Sequence, residues 1–215
     1  MANNKNKIGI YIVSEDSPGS SVLSHIIHSG YSTKYIILKN IIANGKSKLL
    51  GNLKKYNDAT ENLSRVFLND YSSFYCFLLT DLDEEKCAPI LISKWFTFLR
   101  HERLILRVAV REIESWLLAD RKNFSDYFGI SLNKIPHNPD CVSNPKGLIL
   151  NLMVNYSVNK IIKEQMVRIE RSNYFIGRGY NDEMTNYIFR KWNFKEAIKN
   201  SDSLRKLVEK LAALK

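Results

Sequence analysis

Apolar, β-branched runs alternate along the first half of the chain with segments whose apolar positions recur every three or four residues. The first run, Ile8-Gly-Ile-Tyr-Ile-Val13, stops at Ser14-Glu15-Asp16 and reads as a buried strand. Ser17 then reads as an N-cap with Pro18 at the first helical position. This predicts a helix through Val22, Leu23, Ile26 and Ile27 that Gly30 closes. Tyr35 to Ile42 is a second strand. Residues 46–68 read as helical, with Asn57-Asp58 as the point of interruption. The clearest buried strand is Phe74-Tyr-Cys-Phe-Leu-Leu-Thr80, which runs into Asp81-Leu-Asp-Glu-Glu85. A helix over about 89–100, a fourth strand over 104–110 and a helix over 111–120 follow.

Beyond Asp120 the pattern changes. Residues 131–147 hold three prolines and several asparagines and read as a loop. Asn144-Pro145 caps the next helix, again with proline first. From there the periodicity predicts short helices over about 147–156, 158–170, 182–191 and 202–214, and no strand stands out. Strand and helix alternation predicts an α/β fold, a mostly parallel sheet flanked by helices. The expected division is an α/β core over 1–125 and a helical, basic C-terminal extension over 126–215, packed on the core.

Composition sharpens this. At 215 residues and 45% hydrophobic content, the chain is long enough to bury a core without disulfide or metal staples. Cys76, Cys87 and Cys141 form no C-x-x-C pair, so they suggest neither a zinc site nor a disulfide framework, only free thiols in a reducing cytosol. Ile8 to Val13 is too short for a signal peptide or a membrane span, so the expectation is a cytoplasmic protein with no membrane partner. The net charge is +10. Residues 151–215 carry 13 basic and 7 acidic residues, net +6, and residues 1–150 carry 19 and 15, net +4. An anionic partner follows, and nucleic acid, DNA or RNA, is the commonest. Lysines that only solubilise helices give the same count.

The candidate chemistry is acidic. In an open parallel sheet the reactive edge is the carboxyl end of the strands, and three strands end there in acid: at Glu15, at Asp81 and Asp83, and at Glu112 and Glu114. Asp81 and Asp83, two apart in extended chain, project to one side with Cα atoms about 6.6 Å apart. Such a pair can hold Mg²⁺ or Mn²⁺, hard cations that take carboxylate, water and phosphate oxygens. Asp81 and Asp83 also read as an acidic turn after a strand. Glu15 stands where a strand meets a helix N-terminus. A carboxyl there can act as general acid or base, and the N–H groups of residues 17–20 can take a phosphate. Residues two apart on a helix do not share a face, so only one of Glu112 and Glu114 is expected at a metal; Glu112, nearer the strand end, is the choice. Arg111 can neutralise a phosphate. Arg178, between Gly177 and Gly179, is expected as an anion contact, with Lys146 a further basic candidate for nucleic acid. Tyr174, Tyr180, Tyr187 and Trp192 are base-stacking candidates that read twice as readily as helix core.

The pattern strand-Glu15-helix, strand-Asp81-Leu-Asp83 resembles the Toprim domain of topoisomerases, primases and old-type nucleases. Glu85 matches the last acid of the topoisomerase D-x-D-x-E form, which implies a metal role for it. Arg107-Val-Ala-Val-Arg-Glu-Ile-Glu-Ser-Trp-Leu-Leu-Ala-Asp120 is similar to the signature of an uncharacterised prokaryotic Toprim-like family. Asn144-Pro-Lys-Gly147 and Gly177-Arg-Gly-Tyr-Asn181 resemble two further segments of that family. The resemblance covers most of the chain and implies an effector of bacterial defence against phage, often beside an ATPase partner. Toprim domains usually place Gly after the first Glu; here Asp16 stands there. The leading expectation is a Mg²⁺-dependent nuclease with Glu15, Asp81 and Asp83 catalytic and Asp81, Asp83, Glu85 and Glu112 as metal ligands. The alternatives are a regulatory Toprim-fold subunit of an ATPase complex and a nucleotidyl transferase.

Overall fold

A computed structural model describes residues 4–171 and 173–214, apart from the side chain of Leu68. Residues 1–3, Ser172 and Lys215 lie outside the described residues. Among the described residues no helix is long and apolar enough to cross a membrane. Internal contacts divide the chain into two units, residues 1–108 with 211–215, and residues 109–210. The division falls at Val108/Ala109, so the helix that follows the fourth strand clusters with the C-terminal residues rather than with the sheet.

The first unit is α/β, as the alternation predicts. Strands β1 (Ile8–Ser14), β2 (Tyr35–Ile42), β3 (Ser73–Asp81) and β4 (Leu104–Ala109) form a parallel sheet in the order β2-β1-β3-β4. β1 is central. Ser14 lies beside Ile42 on one side and Leu79 on the other, so three strands end together. Ile10, Ile12 and Val13 are fully buried, which is why the run is apolar throughout rather than alternating. Helix α1 (Ser17–Gly30) packs on β1 and β2. The 46–66 stretch forms two helices, α2 (Lys46–Gly51) and α3 (Leu53–Val66), the latter against β3. Helix α4 (Ala88–Trp95) connects β3 to β4.

Three predicted boundaries move, each for a local reason. The break in the 46–68 helix falls at Gly51-Asn52, not at Asn57. Asn57 is buried inside α3, where its amide donates to Leu99 O (3.4 Å) and accepts from the His101 N–H (2.8 Å). The polar residue that looked like a breaker is a tertiary anchor for the loop before β4. The N-cap of α1 is Asp16, not Ser17: its carboxylate accepts from the Gly19 N–H at 2.9 Å. Helix α4 ends at Trp95, five residues before the predicted 100.

The second unit holds helices α5 (Ile113–Ala119), α6 (Arg121–Phe128), α7 (Pro145–Tyr156), α8 (Lys160–Met166), α9 (Tyr180–Arg190), α10 (Phe194–Ala197) and α11 (Asp202–Ala213, whose last turn belongs to the first unit). Its core gathers Trp116, Phe124, Phe128, Tyr180, Met184 and Tyr187. The polar atoms of its large aromatics are matched: Trp116 Nε1 donates to Ser203 Oγ (2.7 Å) and Trp192 Nε1 to Trp116 O (3.1 Å). Tyr180, Tyr187 and Trp192 are therefore core, not base-stacking groups.

The helix predicted over 158–170 stops at Met166, and an antiparallel hairpin follows, β5 (Val167–Glu170) and β6 (Asn173–Ile176). The expectation of no strand in this region is corrected by it. In a continuing helix the carbonyls of Gln165 and Met166 would accept from residues 169 and 170. Here they accept instead from the N–H groups of Gly179 (3.0 Å) and Gly177 (2.8 Å). The two glycines end α8 and leave the next residues free to pair as strands.

The glycine approach is close. A Cβ on Gly177 would lie 2.4 Å from Gln165 O, whereas one on Gly51 would meet nothing within 4 Å. We expect Gly177→Ala to cost about 1–3 kcal/mol in urea unfolding and Gly51→Ala to be neutral or stabilising by up to about 1 kcal/mol. Equal midpoints for the two variants would show that the Gly177 turn does not pack as described.

Candidate active site

The carboxyl edge of the sheet in the first unit carries the acids. Because Ser14 pairs with Leu79, the next residue on each strand, Glu15 and Thr80, are neighbours. The Thr80 hydroxyl donates to Glu15 Oε2 at 3.0 Å. The loop after β2 folds back over the same edge, with the Ala43 N–H on Ser14 O (2.8 Å) and the Gly45 N–H on Glu15 O (3.0 Å). Asn44 at φ 58° and Gly45 at φ 116° turn the chain so sharply that α2 starts directly above the edge. The second of these conformations is one that L side chains rarely adopt.

That turn delivers Lys46, a residue the sequence reading missed. Its ammonium donates to Asp83 Oδ2 at 2.7 Å and to the main-chain carbonyl of Asp81 at 2.8 Å. No spacing rule connects residue 46 to residues 81 and 83. The available signal was Asn44-Gly45 just after a strand, a turn pair followed by a cation.

Asp81 is the last residue of β3, half-buried, as expected. Asp83 is not its extended i+2 partner. Leu82 is buried and pins the turn, and Asp83 takes a left-handed conformation, φ 51°, which Asp tolerates better than most residues. The two acids are thus placed by a turn rather than by pleat alternation. Asp16, the departure from the usual Gly, is occupied as the α1 cap, and its carbonyl accepts from the Ser14 hydroxyl at 2.6 Å. The N–H of Gly19, one of those expected to take a phosphate, is therefore already bonded within the chain.

Burial pushes the Glu15 carboxyl above the usual carboxylate range. The Thr80 hydrogen bond opposes this, the Asp83 charge adds to it, and the Lys46 charge opposes it again. Glu15 and Asp83 are thus close enough to feel each other's charge. Glu85 is drawn aside: Lys94 binds its carboxylate at 2.7 Å and holds it below the usual range, helped by the Lys86 N–H.

Among the described residues, no three His, Cys, Asp or Glu side chains stand close enough together to hold one ion as placed. The donors around the Lys46 ammonium are nonetheless hard oxygens, the Asp83 carboxylate and the Asp81 carbonyl. That is the donor chemistry Mg²⁺ and Mn²⁺ take, and the ammonium stands in for a cation there.

The remaining expected residues lie in the second unit. Glu112 Oε2 accepts from the Lys146 N–H at 2.8 Å, capping α7 beside Asn144, whose Oδ1 accepts from the Gly147 N–H at 2.7 Å. Glu114 is 1% exposed and pairs with the Lys146 ammonium at 3.4 Å, while the Tyr180 hydroxyl donates to it at 3.1 Å. Lys146 is thus engaged with a buried acid. Arg111 is half-buried, its N–H on Ser115 Oγ at 3.2 Å. Arg178 is exposed, and its flanking glycines serve the end of α8.

A carboxyl whose pKa is raised on folding keeps its proton in the folded chain at a pH where the unfolded chain has lost it. Stability is then full below the ordinary glutamate value of 4.5 and falls as pH rises through the raised value. Glu15→Gln, which keeps an acceptor for Thr80, should therefore be more thermostable than wild type near pH 7. The advantage should shrink toward about pH 4. A gap independent of pH would mean that Glu15 titrates normally. In the second unit, Lys146→Met should destabilise by about 3 kcal/mol in urea unfolding, because it strips the ion pair from a buried carboxylate; a neutral effect would place Lys146 outside the structural network.

No protein-family model, curated protein or solved structure matches the chain.

Proposed function

We propose that this chain is a metal-dependent nuclease that hydrolyses phosphodiester bonds in DNA or RNA. The observation that carries the reading is the meeting of Glu15, Thr80 and the Lys46-bridged Asp81-Asp83 turn at the carboxyl edge of one parallel sheet. Asp83 and Asp81, with Glu15 beside them, would hold Mg²⁺ or Mn²⁺. Such an ion supplies Lewis-acid stabilisation of phosphoryl oxygens and a lowered pKa for bound water.

The chain's own groups supply the rest. Glu15 holds a proton above the pH at which an ordinary glutamate loses it, so it suits the general acid: as the P–O bond breaks, the leaving oxygen takes that proton. Thr80 fixes the carboxyl by its hydrogen bond to Oε2. The +10 net charge favours a polyanionic substrate. Of the three basic residues expected at nucleic acid, Arg178 is exposed, whereas Arg111 and Lys146 are half-buried, so Arg178 is the first candidate for a phosphate contact.

One observation favours a second reading, a regulatory Toprim-fold subunit beside an ATPase partner. Asp83 and Glu85 both already have lysine counter-ions, as they would in a centre that no longer binds metal. In either reading, the likeness of Arg107–Asp120 to a prokaryotic Toprim-like family supports a role in antiviral defence.

Cleavage of labelled DNA and RNA oligonucleotides separates the two. We expect cleavage with Mg²⁺ or Mn²⁺ that EDTA abolishes. Glu15→Gln should lower it by about 10²–10⁴-fold, and Asp81→Asn should abolish it with the fold intact. No cleavage of either polymer with either ion would support the regulatory reading, and full activity in both variants would place the site elsewhere.

A further inference from the structure

We infer that Lys46 is a resident counter-cation of the acidic edge, which a divalent ion must displace in order to bind. The inference rests on the metal-centre reading above and adds a residue that sets the affinity of that centre. Four acids crowd this edge, Glu15, Asp16, Asp81 and Asp83. Lys46 reaches into this edge, with its ammonium at 2.7 Å from the Asp83 carboxylate and 2.8 Å from the Asp81 main-chain carbonyl. The Lys46 charge also lowers the Glu15 pKa, against the charges of Asp83 and Asp16.

The backbone is arranged to put the ammonium there. Gly45, at φ 116°, is bonded to Glu15 O, which ties the start of α2 to the end of β1 one residue before the lysine. The Lys46 side chain is 28% exposed and that of Asp83 41%, so the pair sits at the surface of the edge. There the ion pair is weak enough to exchange. A lysine stem has four rotatable carbons and can swing into solvent without moving α2. The ammonium leaves with its proton, so exchange raises the cationic charge set against the acids from +1 to +2, and no proton is released from Lys46. The acids, spread around a monovalent head as they stand, can then close on the smaller ion.

Mn²⁺ binding, read from the loss of the free-ion paramagnetic signal, tests this on the full chain without reference to cleavage. Lys46→Met should bind Mn²⁺ about tenfold or more tightly than wild type, the order expected when a divalent ion no longer competes with a unit charge at contact distance. Lys46→Arg, which keeps the charge, should bind like wild type. Without metal, Lys46→Met should melt below wild type and gain more than wild type when Mn²⁺ is added. Equal or weaker binding by Lys46→Met, with Lys46→Arg folded and binding normally, would overturn the inference and leave the metal centre standing. Absence of Mn²⁺ binding in all three proteins would overturn both.

Discussion

Central β1 pairs in parallel along its whole length with β2 on one side and β3 on the other, and this pairing positions everything at the acidic edge. Parallel pairing in register makes three strands end at one level, so whatever follows each strand is delivered to the same place. Glu15 follows β1, the Asn44-Gly45 turn and Lys46 follow β2, and Asp83 follows β3. Slipping β3 by one residue would turn Thr80 to the other face of the sheet and take its hydroxyl from Glu15. The apolar run of β1 is therefore as much a part of the site as the carboxyls, because its burial on both faces fixes the register.

The second constraint at this edge is charge. Acids gathered on neighbouring strand ends raise each other's pKa unless a cation or hydrogen-bond donors intervene. The chain distributes these. Asp16 spends its carboxylate on the first turn of α1, Glu15 takes a hydroxyl from Thr80, Glu85 goes to Lys94, and Asp83 takes the Lys46 ammonium. At Glu15, burial outweighs the partners. A carboxyl so raised keeps its proton to a higher pH than an ordinary glutamate does, which suits it to give that proton to a leaving group.

How much of this was legible in the sequence depends on distance along the chain. The strands, the parallel α/β class and the placement of Glu15 and Asp81 at strand ends follow from local pattern, and the fold agrees. Three of the failures share one cause: a side chain or carbonyl whose partner lies far away in sequence. Asn57 looks like a breaker until Leu99 and His101 are beside it. Residues 167–170 read as helix until Gly177 and Gly179 take the carbonyls of Gln165 and Met166. Lys46 means nothing until β2 and β3 are aligned through β1. Asp83 fails differently, since its left-handed backbone is set by the burial of its neighbour Leu82.

The second unit shows what the Arg107–Asp120 run does physically. Its Glu112 caps α7 at Lys146, and its Glu114 is buried between the Lys146 ammonium and the Tyr180 hydroxyl. Trp116 bonds Ser203 and Trp192, and Asp120 accepts from the Asn193 N–H at 2.7 Å. Three segments distant in sequence, 112–120, 144–147 and 177–181, are thereby joined by one polar network. A buried carboxylate costs several kcal/mol to desolvate and repays that only if its partners are in place, so the glutamate, the lysine and the tyrosine depend on one another. Mutual dependence of this kind links the Asn144-Pro-Lys-Gly147 turn and Tyr180 to the Arg-Glu-Ile-Glu run by structure, with no reacting group required. The chemistry of the chain is then sought at the other constellation, where acids meet at a strand edge and the cation between them is held at a partly exposed surface.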